Sequence, residues 1–137
     1  MSTIPASHLD ILQSPALAYM ATLGPQGEPQ VSAVWLLWDG THLLFAFNKK
    51  RQKYRNLLRD PRVALAVTDL ANPYRALEIR GTVVRMDEDP DFHFINAASQ
   101  KYLNRDATPE EKGSAEERVV IVVKPERVII FPPEDKR

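Results

Sequence analysis

The chain contains no cysteine, which excludes disulfides, thiolate metal sites, iron–sulfur clusters and a cysteine nucleophile together. It has no excess of either charge, with 18 Lys and Arg against 18 Asp and Glu. A basic surface over the whole molecule, of the kind nucleic acid needs, is therefore missing, and any anion site must be local. No stretch approaches the roughly 18 consecutive apolar residues of a membrane span. The opening MSTIPASHLDILQSP lacks the basic and apolar segments of a secretory leader. The expectation is a soluble, cytoplasmic protein without nucleic-acid or membrane partners. Glycine is scarce, at 5 residues, and no GxGxxG or GxxxxGK loop precedes a helix. No serine sits in a GxSxG elbow, so Walker-type nucleotide chemistry and serine hydrolysis are disfavoured. His8, His42 and His93 have neither HxxxH nor HxH spacing, and no metal is expected.

What is present describes a small, well-punctuated domain. At 137 residues, with 44% hydrophobic and 26% charged, the length fits one hydrophobic core and a single domain over residues 1–137. Ser7 and Asp10 suggest a capped short helix stopped by Pro15. Leu17 to Leu23 reads as a strand, 25–28 as a turn, and Val31 to Trp38 as one apolar strand. Asp39-Gly40 is a turn dipeptide, and Leu43 to Phe47 is the return strand. Lys50 to Arg59 is helical in pattern. Val63 to Thr68 and Leu77 to Met86 are β-rich, with a bulge expected at Gly81. A helix is expected over Asp89 to Leu103, with the acids Asp87, Glu88, Asp89 and Asp91 serving its N-terminus. Asn104 to Glu117 reads as a loop with at most one turn, and Val119–Val123 with Val128–Phe131 as a hairpin about Lys124-Pro125-Glu126. Short antiparallel strands with a few helices inserted point to a small barrel, mainly β within the α+β class.

The local anomaly is the segment 49–62, with seven basic residues and one acid in a neutral chain. Lys49, Arg51 and Lys53 fall where a strand ends and a helix begins. There the unpaired N–H groups and positive end of the helix favour a phosphate. Arg51, Arg55 and Arg59 share one helix face while Lys53, Asn56 and Leu57 lie on another, so only part of the cluster can serve one ligand.

Three runs of residues carry a resemblance. They are Leu44-Phe45-Ala46-Phe47-Asn48, then Arg51-x-Lys53-x-x-Asn56-Leu57-x-x-Asp60-Pro61-Arg62-Val63, then Asn72-Pro73-Tyr74-Arg75-Ala76-Leu77-Glu78-Ile79-Arg80-Gly81, joined by Ala21-Thr22-Leu23 and the stretch Gly27 to Val34. Together they resemble the flavin-reductase-like split-barrel family related to pyridoxamine 5′-phosphate oxidase, and within it the branch of deazaflavin (coenzyme F420)-dependent oxidoreductases. The resemblance runs from about residue 10 to residue 132 and implies a six-stranded antiparallel split β-barrel with short peripheral helices, of the FMN-binding split-barrel type. It also implies a homodimer with cofactor sites at the interface. Carried over by position, Arg51 and Lys53 hold the cofactor phosphate with Lys49 beside them, and Asn56 supports that loop. Ser32, Ala33, Val34 and Trp35 line the ring system, and Phe47 and Asn48 complete the wall. Tyr74 and Arg75 are candidates for the substrate side.

Pyridoxamine phosphate oxidases carry an Arg-x-Val-Leu-Leu-Lys strand and a C-terminal Arg-Leu-x-Pro. This chain has Ser32-Ala33-Val34-Trp35-Leu36-Leu37 and Ile129-Ile130-Phe131-Pro132 in their place, which argues against vitamin B6 oxidation and for F420 over FMN. The expected function is hydride transfer between reduced F420 and a small conjugated or unsaturated substrate. The alternatives are an FMN-binding oxidoreductase of the same group and a carrier that binds a flavin or deazaflavin without turnover. No side chain stands out as a redox or acid–base group, so the cofactor would carry the chemistry.

Overall fold

The structure, a computed structural model, describes residues 4–133; the outermost residues of the expected 1–137 domain lie outside the described residues. Seven antiparallel strands form one sheet: β1 (Ala18–Leu23), β2 (Pro29–Val34), β3 (Leu37–Trp38), β4 (Leu43–Asn48), β5 (Arg62–Thr68), β6 (Ala76–Glu88) and β7 (Arg118–Phe131). Their order across the sheet is β2-β1-β5-β6-β7-β4-β3. The helices are α1 (Leu9–Gln13), preceded by a 3-10 turn, α2 (Gln52–Arg59), α3 (His93–Leu103) and α4 (Pro109–Lys112). None of these is long and apolar enough to cross a membrane.

The expected single strand Val31 to Trp38 breaks at Trp35-Leu36, and its two halves lie at opposite edges of the sheet. Val34 and Leu37 are only three peptide steps apart, at most about 11 Å. The sheet must therefore roll until its edges approach. The chain itself bridges them where no ladder does, giving seven strands in an unclosed sheet rather than a six-stranded barrel. Tyr102 of α3 fixes the bridge: its hydroxyl accepts from Leu36 N (3.0 Å) and donates to the Ala16 carbonyl (2.8 Å).

A second correction concerns the C-terminus. Residues 118–131 are one strand, paired along β6 and, through its first half, with β4. Lys124-Pro125-Glu126 is not a hairpin turn but an irregularity. Opposite Arg80 and Gly81 stand Arg127 and Pro125, so Glu126 is the extra residue of a bulge. A bulge tolerates the N–H that proline lacks. Gly81 is required there, because a Cβ would stand 2.5 Å from the Lys124 carbonyl oxygen.

Inward-facing Met20, Val63, Leu65, Val67, Leu77, Ile79, Ile121 and Phe45 fill the roll. The outward side of β4 and β7 is buried too, because Leu44, Val120 and Val122 pack beneath Phe94 of α3. α3 starts at His93 rather than Asp89. The buried Asp89 carboxylate accepts from the N–H groups of Phe94 (3.2 Å) and Ile95 (3.3 Å), satisfying first-turn donors. The expected loop 104–117 contains α4, closed by a Thr108/Glu111 capping box, and a 3-10 turn at Ala115–Glu117. Ser7 does not cap α1. His8 Nε2 donates to the Phe131 carbonyl (2.8 Å), and its Nδ1 shares a hydrogen bond with the Ser7 hydroxyl (2.8 Å).

Candidate functional site

At Asn48 the chain leaves β4 and turns into α2. The Asn48 carboxamide oxygen accepts from Lys50 N (2.8 Å) and its carbonyl from Arg51 N (3.0 Å). Lys49 N is held by the Glu117 carbonyl (2.8 Å). Arg51 occupies the N-cap position, where it offers no side-chain acceptor, and the N–H groups of Gln52 and Lys53 have no acceptor among the described residues. The first turn of α2 therefore keeps its donors open.

Asn56 fixes where this turn points. It is fully buried; its amide nitrogen donates to Thr22 Oγ1 (3.0 Å) and Gln30 Oε1 (2.8 Å), and its oxygen accepts from Gln52 Nε2 (2.9 Å) and Arg59 Nη2 (3.3 Å). Four bonds exhaust its capacity. It positions α2 on β1 and β2 and has nothing left to offer a ligand.

Two cavities meet at this corner. The larger, about 490 Å³, has walls that include Leu17, Ala33, Val34, Trp35, Phe47, Asn48, Ile95 and Arg118, with Glu110 and Glu111 also lining it. The smaller, about 180 Å³, is bounded by Thr22, Gln30, Val31, Ser32 and Gln52. Arg51 and Lys53 belong to both. The expected residues Ser32, Ala33, Val34, Trp35, Phe47, Asn48, Arg51 and Lys53 are thus gathered around one continuous opening.

Other expected residues lie elsewhere. Lys49 does not line either cavity; its ammonium pairs with Glu88 (3.1 Å). Tyr74 projects outward with 85% of its surface exposed. Arg75, the other substrate-side candidate, is paired within the chain. It is clamped between Asp10 (2.6 Å) and Asp69 (2.7 Å) and also donates to the Ser7 carbonyl, so it ties α1 to the turn before β6. Of the basic helix, Arg55 is spent on Lys50 O and Gln52, and Arg59 on Leu23 O and Asn56.

The electrostatics single out Lys53 and Arg118. Burial, reinforced by the neighbouring Arg51 charge, pulls the Lys53 ammonium down to about 8. Its contacts are weak ones, with Ser32 Oγ at 3.4 Å and the Phe47 ring centroid at 4.7 Å. Arg118, only 3% exposed, lies opposite Asn48 at the start of β7, and its Nε has no hydrogen-bond partner. Burial lowers its pKa. Arg118 carries one faint signal in the sequence, a single basic residue directly before five consecutive Val and Ile. Trp35 stacks on Tyr102, with centroids 5.5 Å apart and planes 11° from parallel, which holds the cavity wall rigid.

A family model described as pyridoxamine 5′-phosphate oxidase matches residues 4–131. The chain belongs to this family. Among solved structures, one named F420 reductase shares 40% identity, covers 91% of this chain and 98% of its own, and superposes with a TM-score of 0.83. A conserved hypothetical protein from Mycobacterium tuberculosis is 21% identical over 98% of this chain and 92% of its own, with a TM-score of 0.75. General stress protein 26 from Bacillus anthracis is 20% identical over 95% and 98%, with a TM-score of 0.68. The last two share the fold. No curated protein matches in sequence. The pyridoxamine 5′-phosphate oxidase family assignment and the resemblance carried by segments 44–63 and 72–81 agree.

Proposed function

We propose that the protein is an oxidoreductase that binds coenzyme F420 across the two cavities and passes hydride from its reduced form to a small conjugated or unsaturated substrate. One observation carries this reading. Two basic side chains without an acidic partner among the described residues, Arg51 and Lys53, stand at an uncapped helix N-terminus that opens onto a cavity of about 490 Å³ with one apolar side, Leu17, Val34, Trp35, Phe47 and Ile95. The volume falls in the range of roughly 300–1,000 Å³ usual for cofactor sites. The basic groups fit a phosphate-bearing ligand, since Arg51 lacks a side-chain partner among the described residues and Lys53 is poorly compensated where it stands. The neighbour named F420 reductase supports the choice of a deazaflavin over FMN.

The reduced coenzyme supplies the hydride when bound. The chain's residues bind and orient. Arg51, Lys53 and the open N–H groups of Gln52 and Lys53 hold phosphate by charge-assisted bonds. Trp35, locked by Tyr102, and Phe47 form walls against which a planar ring system is aligned. Leu17, Val34 and Ile95 exclude water from the reacting face.

The assembly is proposed as a homodimer. Tyr19 pairs with Ala33 and Ala21 with Val31 across β1 and β2, placing an apolar strip on the outside of the roll, where Val31 is 70% exposed. The strip continues into the large cavity through Ala33, so a second copy seated on it would wall the site. Fluorescence titration with F420 and with FMN, followed by turnover of a panel of enones and quinones, tests the reading. F420 binding tighter than FMN with oxidation of the reduced coenzyme is expected. Tight binding without oxidation would make the protein a carrier, and binding of neither would overturn the proposal.

A further inference from the structure

Arg118 is more than the back wall of a cofactor cleft. The nearby acids Asp89 and Glu117 attract the Arg118 charge but bond elsewhere: Asp89 caps α3 through Phe94 N and Ile95 N, and Glu117 holds Lys50 (2.8 Å) and the Ser114 hydroxyl (2.7 Å). No side-chain hydrogen bond reaches the Arg118 guanidinium among the described residues, and its Nε is sealed from solvent without a partner. A buried donor left this way is costly, and a buried charge more so. Arg118 lines the large cavity only, whereas Ser32, Thr22 and the open first turn of α2 surround the small one. One oxyanion is thus provided for at α2, and a separate guanidinium without a hydrogen-bond partner lines the space where the substrate would sit.

We propose that Arg118 is a second oxyanion subsite, which binds the carboxylate of an α,β-unsaturated acid through its two Nη groups. The planar guanidinium presents two parallel N–H groups along its Nη edge, matched to the two oxygens of a carboxylate. A carboxylate held there sets the conjugated carbon–carbon bond of the same molecule into the apolar part of the cavity, toward Ile95. The proposal rests on reading the cavity as a cofactor and substrate site, and it names the substrate class.

The test uses the cofactor-free protein. Titration with trans-cinnamate and with methyl cinnamate is followed through the Arg118 Nε–Hε NMR cross-peak, assigned by its absence from Arg118→Lys. A saturable shift with the acid and none with the ester is expected, with acid affinity at least about tenfold weaker in both Arg118→Lys and Arg118→Met. Equal response to acid and ester, or unchanged affinity in both variants, overturns the subsite. Arg118→Met is expected to melt close to the parent, because no hydrogen bond among the described residues is lost and Asp89 keeps its Phe94 and Ile95 N–H donors. A marked fall in Tm would make Arg118 a structural residue and refute the idea. Fluorescence titration of Arg118→Met with F420 should give a Kd within about threefold of the parent, since an interaction made only with substrate leaves cofactor binding alone. A tenfold loss would assign the guanidinium to the cofactor instead. If the parent protein fails to bind F420 while the cinnamate shift persists, the oxidoreductase reading falls and the subsite stands.

Discussion

Raising the pH should loosen the cofactor's phosphate by titrating one amine, Lys53. In the ligand-free protein its ammonium loses a proton near 8 rather than at the ordinary 10.5, chiefly through burial and secondarily through Arg51. A phosphate favours the charged form, so binding raises the Lys53 pKa, and linkage requires affinity to fall as pH climbs through about 8. At about pH 7 roughly nine-tenths of the protein carries the charge, and at about pH 9 roughly one-tenth, so Kd should rise about tenfold across that interval. A phosphodiester has no second ionisation and a phosphomonoester's lies near 6, so the charge of the phosphate changes little over this interval. Stability should run the other way. The unfolded chain holds these protons up to about 10.5, so Lys53 and the similarly buried Lys101, also near 8, make the free protein more stable as pH rises from about 8 to 10.5. The assay is F420 fluorescence titration at closely spaced pH values, with Lys53→Arg as the control that stays charged throughout. A flat profile in the parent, or the same slope in Lys53→Arg, would refute the reasoning.

Four further outcomes are expected. Arg51→Ala should weaken F420 about ten- to a hundred-fold without unfolding the protein, because a charge-assisted contact is worth roughly 1.5–3 kcal/mol; Arg59→Ala should stay within about a factor of five, since an exposed charge contributes about 0–1 kcal/mol. Equal losses from both, read by the same titration, would indicate diffuse attraction instead of a seated phosphate. Asn56→Ala should cost about 1–3 kcal/mol in urea unfolding, because Thr22 and Gln30 lose their buried donor. Tyr102→Phe, measured the same way, should cost a similar amount by stranding Leu36 N–H and the Ala16 carbonyl. Light scattering at micromolar concentration should give a dimer, and a monomer would remove the shared wall of the site.

Much of this architecture was legible because it follows from local rules. Alternation along Val63–Val67, the glycine at 81 and the strand-to-helix step at Asn48–Gln52 each have a short-range cause. The departures are long-range. Nothing in Val31 to Trp38 marks a break, since no glycine or proline interrupts the run; only the rolling of the sheet decides that Trp35 and Leu36 must leave it. Pro125 looks like a turn because proline usually punctuates, yet here it sits where a bulge excuses its missing N–H. Arg75, beside the turn residues Asn72-Pro73, reads as a candidate for the substrate side, and its partner Asp10 is 65 residues away. Arg118 follows two glutamates and so looks solvated. It is buried where β7 pairs with Asn48 of β4, a contact that no spacing rule connects to residue 118.

Trp35 and Leu36 also set an order of events. The pairs β1–β2 and β3–β4 can form from neighbouring sequence and are tethered through Trp35 and Leu36, but the rolled sheet that fixes their arrangement forms only after β5 docks on β1 and β7 on β4, a pairing that spans Leu43 to Val123. Contacts of that sequence separation form slowly. The wall of the cavity is therefore assembled late, when the rest of the sheet already stands, and indole fluorescence of Trp35 in a Trp38→Phe background should report the final phase of refolding. A chain halted before that phase would keep most of its hydrogen-bonded ladder and have no place to hold a ring.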